Sequence, residues 1–129
     1  MKTLQTVTAI IEAGAGLALL GVPSITASLL LGMPLDSPAA VSLARVGGAA
    51  ILALAIVCWL ARLDAQSPES RGLIVAMVFY NFAVAAVLAF TGFVDELHGV
   101  LLWPAVLFHL AMGAWCIASL QRKDEGVLR

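Results

Sequence analysis

Four positions in this chain combine the chemistry of binding with an apolar setting: Glu12, Arg45, the adjacent pair Tyr80 and Asn81, and His109. Each lies in a different hydrophobic run. A carboxyl, a guanidinium, a phenol with an amide, and an imidazole are groups that grip a polar head or hold and relay a proton. Inside hydrocarbon such groups are costly, about 2.5–3.5 kcal/mol for an arginine at a helix centre on insertion scales. They normally face a partner, a watery cavity or the bundle interior, where they mark a ligand or proton pathway. Each also has a plainer reading. Arg45, about two turns inside its helix at 3.6 residues per turn, can reach outward to the headgroups. Glu12 can stay protonated or lean to the cytoplasmic surface, Asn81 can serve as a hydrogen bond between helices, and His109 can be a neutral core residue. One such residue on every apolar run favours the functional reading.

The elements that position them follow from composition. Of 129 residues, 62 % are hydrophobic and 12 % charged, and the mean hydropathy is +1.03. Soluble domains are nearer ~45–50 % apolar and ~25 % charged. At ~20–25 residues per membrane span, the length holds four helices in one domain, residues 1–129, with no room for a soluble catalytic unit. No phosphate-binding loop, HExxH or zinc-ligand spacing occurs. A net charge of −1 without a basic stripe excludes nucleic acid as a natural partner. The expected class is all-α: a polytopic membrane protein, an antiparallel up-down four-helix transmembrane bundle with both termini cytoplasmic.

The first span is expected over residues 3–31. The run is too long, and too interrupted by Glu12, for a cleaved signal sequence. Pro23 predicts a bend and Gly32 with Pro34 a stop. Gly14, Ala18 and Gly21 suggest a face for close helix approach, as do Ala44 and Gly48 in the second span. That second span, 38–62, opens with Ser37 as N-cap and Pro38 in the first turn, and closes with Trp59 and Arg62 at the far interface. The third, 68–92, repeats the same start with Ser67, Pro68 and Glu69. The fourth, 96–121, is opened by Asp95 and Glu96, and Pro104 either kinks it or marks its true start. The tail KDEGVLR reads as frayed. No two-residue alternation supports strands or a barrel.

Charge sets the orientation. Six of the seven basic residues (Lys2, Arg62, Arg71, Arg122, Lys123, Arg129) fall at the ends that share a side with both termini, while the opposite loops carry Asp36, Asp95 and Glu96. The positive-inside rule places the basic side in the cytoplasm of a bacterial inner membrane. Two hairpins, each turning through a glycine and then an aspartate (Gly32 and Asp36, Gly92 and Asp95), give a faint internal symmetry; parallel repeats occur in transporters, but two hairpins of any origin look alike in this respect.

Weaker features complete the inventory. His109, Met112 and Cys116 share a face, with Met77 near Asn81; sulfur and imidazole suit Cu(I) or haem iron, but methionine in an apolar core is usually filler, and no metal site is assigned. Cys58 and Cys116 read as two buried inert thiols. Asp36, Asp95, Glu96 and His98 form an acidic rim whose default role is a solvated interface.

The stretch ARVGGAAILAL…CWLAR, a membrane arginine followed by glycines, gives the chain an architectural resemblance to small four-helix bacterial membrane proteins of the DoxX-like families. That resemblance implies a link to quinone redox chemistry. Length, four spans and an acid in the first also resemble the small multidrug resistance transporters, with Glu12 at the place of their proton-exchanging glutamate; the Trp-Ser-Gly pattern of that family is absent here.

The function expected first is binding of an apolar or amphipathic small molecule, quinone- or lipid-like, by Glu12, Arg45, Tyr80, Asn81 and His109, in one form as a redox accessory subunit. A proton-coupled transporter with Glu12 as carboxylate, and a structural or assembly subunit of a larger membrane complex, are the alternatives. Partners are the bilayer, such a ligand, and further copies or a larger complex. Neither a cofactor nor a catalysed reaction is specified.

Overall fold

A computed structural model describes the backbone of residues 1–127 and the side chains of 1–121. Five α-helices are formed: α1 (Lys2–Gly21), α2 (Pro23–Leu31), α3 (Pro38–Ala61), α4 (Pro68–Phe93) and α5 (Leu102–Val127), with a short 3-10 turn at Arg62–Asp64. Among the described residues there is no strand. α1, α4, the segment Pro38–Asp64 and the part of α5 over Leu102–Gln121 are each long and apolar enough to cross a membrane. Their outward faces are greasy: Phe79, Leu43 and Phe93 are 77 %, 73 % and 74 % exposed. Apolar surface of that extent is normal against lipid and abnormal against water.

Helix boundaries follow local chemistry. Ser37 and Ser67 cap α3 and α4, their hydroxyls accepting from the Ala40 and Ser70 amides at 3.2 and 3.1 Å, with a proline following each. Gly32 ends α2 in the left-handed region at φ 82°. A Cβ there would also strike the His98 carbonyl at 2.9 Å. The first apolar run is broken into two helices. Pro23 has no amide to donate and disfavours helical geometry in the residue before it, and Val22 accordingly sits at φ −133°, ψ 56°. α2 therefore leaves at an angle that α1 alone would not give.

The start of α5 also differs from expectation. Asp95 and Glu96 do not open it; Leu102 does, and Pro104 lies in its first turn. Residues 95–101 instead form a loop seated on α2. The Leu101 amide donates to the Leu29 carbonyl at 2.9 Å, and Gly99 packs so closely on the Leu29 and Leu30 backbone that only glycine fits. The apolar residues of this loop mimic a helix start while serving a tertiary contact. At the other end, helix continues through Val127, six residues past the expected stop. Residues 128 and 129, and the side chains of Arg122 and Lys123, lie outside what is described.

α1 packs chiefly on α3, and α4 on α5. The first contact is backbone to backbone: a Cβ on Gly16 would meet the Gly48 carbonyl at 2.8 Å, and one on Gly48 would meet that of Gly16 at 2.8 Å. Gly14 and Gly21, expected to mediate this approach, face open space. In the second contact Gly113 receives the Phe82 ring, and Phe93 stacks edge-on to Trp103 at 4.8 Å. The loop after α3 is tied by the Ser70 hydroxyl, which donates toward the Ala61 and Asp64 carbonyls at 3.0 and 2.7 Å. Beside it Arg62 lies over the Trp59 ring at 3.6 Å.

Among the described residues, two apolar clusters fill the interior. One gathers Leu4, Ala9, Cys58, Ile74, Met77, Met112 and Cys116; the other gathers Leu88, Leu102 and Val106. Cys58 and Cys116 are free thiols buried in the same cluster.

Candidate functional site

Three helices bring polar groups together in the interior. Glu12 on α1 is 4 % exposed and Asn81 on α4 is 1 % exposed. Tyr80 on α4 and His109 on α5 are half-buried. The Tyr80 hydroxyl donates to the Glu12 carboxylate oxygen Oε2 at 2.9 Å. His109 Nδ1 lies 3.0 Å from Asn81 Oδ1, and Asn81 Nδ2 donates to the Met77 carbonyl at 2.8 Å.

This last bond decides the histidine tautomer. A backbone carbonyl can only accept, so the Asn81 amine must face Met77 and its oxygen must face His109. His109 therefore donates from Nδ1, and in the neutral ring Nε2 remains as an acceptor. The imidazole is held further by edge-on contacts with Tyr80 at 5.8 Å and Phe108 at 5.5 Å between ring centroids. Asn81 is thus a positioning residue behind the site.

Glu12, Tyr80 and His109 line a cavity of about 580 Å³ bounded by α1, α2, α4 and α5, with Ile51 contributed by α3. That volume lies within the ~300–1,000 Å³ typical of small-molecule sites. Apart from Thr26, its remaining walls are aliphatic and aromatic, with Leu29 and Leu30 from α2, Leu101 and Pro104 from the loop and the start of α5, and Phe108. The combination is an apolar chamber with a few convergent polar groups at one region of its wall, the usual composition of a site for a hydrophobic ligand with a polar head.

No protein-family model, curated protein or solved structure matches the chain.

Arg45 is the residue that departs from expectation. It is exposed, does not line the cavity and has no hydrogen-bond or ion-pair partner among the described residues. Of the polar residues expected to serve one site from all four spans, those on α1, α4 and α5 come together, and the guanidinium of α3 does not join them. Depth along a helix was readable from sequence, but the direction of the side chain depends on the rotation of α3, which the Gly16–Gly48 contact sets. Glu12 has no basic partner among the described residues, and Tyr80 is its one hydrogen-bond donor there. No three His, Cys, Asp or Glu side chains converge to hold a metal ion among the described residues.

Unforeseen from the sequence are α2 as a cavity wall and Phe108 and Thr26, which line the same chamber. Phe108 stands next to His109, a neighbour worth testing whenever an imidazole must be held in a fixed plane. For α2 the only signal was Pro23, which announced a bend but not its direction.

Proposed function

We propose that this chain is an integral protein of a bacterial inner membrane that binds an apolar or amphipathic small molecule, quinone- or lipid-like, in the chamber between α1, α2, α4 and α5. The observation that carries the reading is the conjunction of an aliphatic cavity of about 580 Å³ with Glu12, Tyr80 and His109 in its wall. An apolar body fills the chamber. Its polar head meets a carboxyl, a phenol and the Nε2 of an imidazole fixed by Asn81, which together accept and donate hydrogen bonds. Arg45 has no part in binding; it reaches from α3 to the outer headgroups.

The bundle is proposed to run up and down with both termini cytoplasmic. Contacts between positions that rise along one helix and fall along the next support this: Ala9 shares a groove with Ala55 and Trp59, while Gly16 meets Gly48. Charge bias supports the orientation.

A second reading, proton-coupled transport of such a molecule, is favoured by one observation: Glu12, a buried carboxyl, lines the chamber itself.

The deciding experiment is mass spectrometry of small molecules that co-purify in mild detergent. A bound apolar compound is expected with the natural chain and with Arg45→Ala, and is expected to be lost in His109→Ala and in Ala105→Phe, which fills the chamber. Retention in Ala105→Phe would overturn the site. Equal and complete absence from all four, including after reconstitution with a quinone and with phospholipid, would leave the bundle a structural subunit.

A further inference from the structure

α1 buries more polarity than its Glu12 alone. Gln5 is 2 % exposed and Thr8 is 3 % exposed, and with Glu12 they are spaced three and four residues apart. That spacing stacks all three on one helix face. The stripe descends from Glu12 toward the end of the bundle where α1 begins, one turn short of the exposed Lys2. It runs through the cluster that holds Leu4, Ala9, Cys58, Ile74, Met77, Met112 and Cys116. Neither Gln5 nor Thr8 lines the chamber above, so Glu12 has the chamber on one side and this stripe on the other.

Within the stripe, Gln5 is anomalous. Both its amide oxygen and its amide nitrogen are buried and neither has a hydrogen-bond partner. A buried amide left unpaired costs ~1–3 kcal/mol per group, and a polar, enclosed site of this kind is where proteins hold internal water, typically through about three hydrogen bonds.

We infer that Gln5 and Thr8 hold internal water that connects Glu12 to the aqueous surface at the end of the bundle where α1 begins. Water is the ligand, and a proton is what it carries: the Glu12 carboxyl exchanges its proton with that water while its other side faces the chamber. No bond other than O–H is made or broken and nothing is oxidised. Other titratable side chains face the same interior from the helices packed on α1: Cys58 from α3, Tyr80 from α4, and Cys116 and His109 from α5. The inference does not need the chamber to be occupied, so it stands or falls apart from the ligand.

The test is cysteine accessibility in reconstituted vesicles. Thr8→Cys, Gln5→Cys, Leu4→Cys and Ala9→Cys are each treated with a small hydrophilic methanethiosulfonate, and modification is read per peptide by mass spectrometry, so the native cysteines remain. All four positions are buried, and a thiol reacts as thiolate where water reaches it, so modification at positions 5 and 8 is expected to be roughly tenfold or more faster than at 4 and 9. Gln5→Leu in the Thr8→Cys chain is expected to slow the reaction by about the same factor, because it removes the amide that holds the water. Equal rates at all four positions, or a Thr8→Cys rate indifferent to Gln5→Leu, would overturn the inference. Gln5→Cys loses the amide but puts a polar thiol one turn from the exposed Lys2, where water enters first, so each chain compares with positions 4 and 9 by itself and failure of one to assemble leaves the other decisive.

Discussion

At the residue scale, the interior is governed by what a buried polar group does when its partner is taken away. Tyr80 is the side-chain donor to Glu12, so Tyr80→Phe takes one hydrogen bond from a buried carboxyl and is expected to cost about 1–3 kcal/mol. The double variant Glu12→Leu with Tyr80→Phe removes both partners of that bond and is expected to recover most of that loss, since neither end is then left without the other. Thermal unfolding in detergent reads both; additive losses would show the two residues to be uncoupled. Asn81 makes a different point. Its amide is locked by the Met77 carbonyl at 2.8 Å, and that lock dictates which nitrogen of His109 carries the proton. Asn81→Leu is expected to release the ring, and nitrogen NMR of labelled histidine should show the neutral Nδ1–H form giving way to a mixture. An unchanged tautomer would mean that the contacts with Tyr80 and Phe108 suffice. Arg45, exposed and unpartnered among the described residues, should tolerate replacement by alanine with stability changed by no more than about 0.5 kcal/mol.

At the scale of elements, close approach and chain breaks shape the chamber. α1 and α3 meet through Gly16 and Gly48, each of whose missing Cβ would sit 2.8 Å from the other's carbonyl oxygen. Backbone cannot yield as a flexible side chain can. Gly16→Ala and Gly48→Ala are therefore expected to destabilise by about 1–3 kcal/mol, the usual cost of overpacking. Gly14→Ala and Gly21→Ala, where a Cβ meets nothing within 4 Å, should be neutral or stabilise by up to ~1 kcal/mol through helix propensity. Equal effects at all four positions would mean the helices slide to relieve the contact. The stretch from Ala13 to Ala18 places a small residue at nearly every angle around α1, which is why spacing pointed to the wrong glycines on that helix while Gly48 on α3 is at the contact as expected. The break at Val22 matters as much: it turns α2 aside so that Thr26, Leu29 and Leu30 wall the chamber.

For the whole molecule, a surface of exposed Leu, Val, Ile and Phe on four long apolar helices requires a lipid or detergent environment. Reporter fusions test the proposed orientation: a periplasm-dependent phosphatase placed in the loop at residues 95–100 is expected to be active, and one in the loop at 62–67 inactive. The reverse pattern would invert the bundle. The all-helical class and the four candidate spans were legible because hydrocarbon demands that every backbone group be satisfied within its own segment; long apolar runs and the Ser-Pro starts at Ser37 and Ser67 therefore write that much locally. Glu12, Tyr80, Asn81 and His109 could likewise be singled out, since any polar group inside such a run must find a partner. Which of them meet could not be read the same way. Partnership depends on the rotation of each helix about its axis, and that is settled where Gly16 seats on Gly48, where Pro23 redirects α2, and where Gly99 docks on Leu29. Those contacts join residues far apart in the chain, which is why Arg45 turned out to face outward while Phe108 and Thr26 faced in.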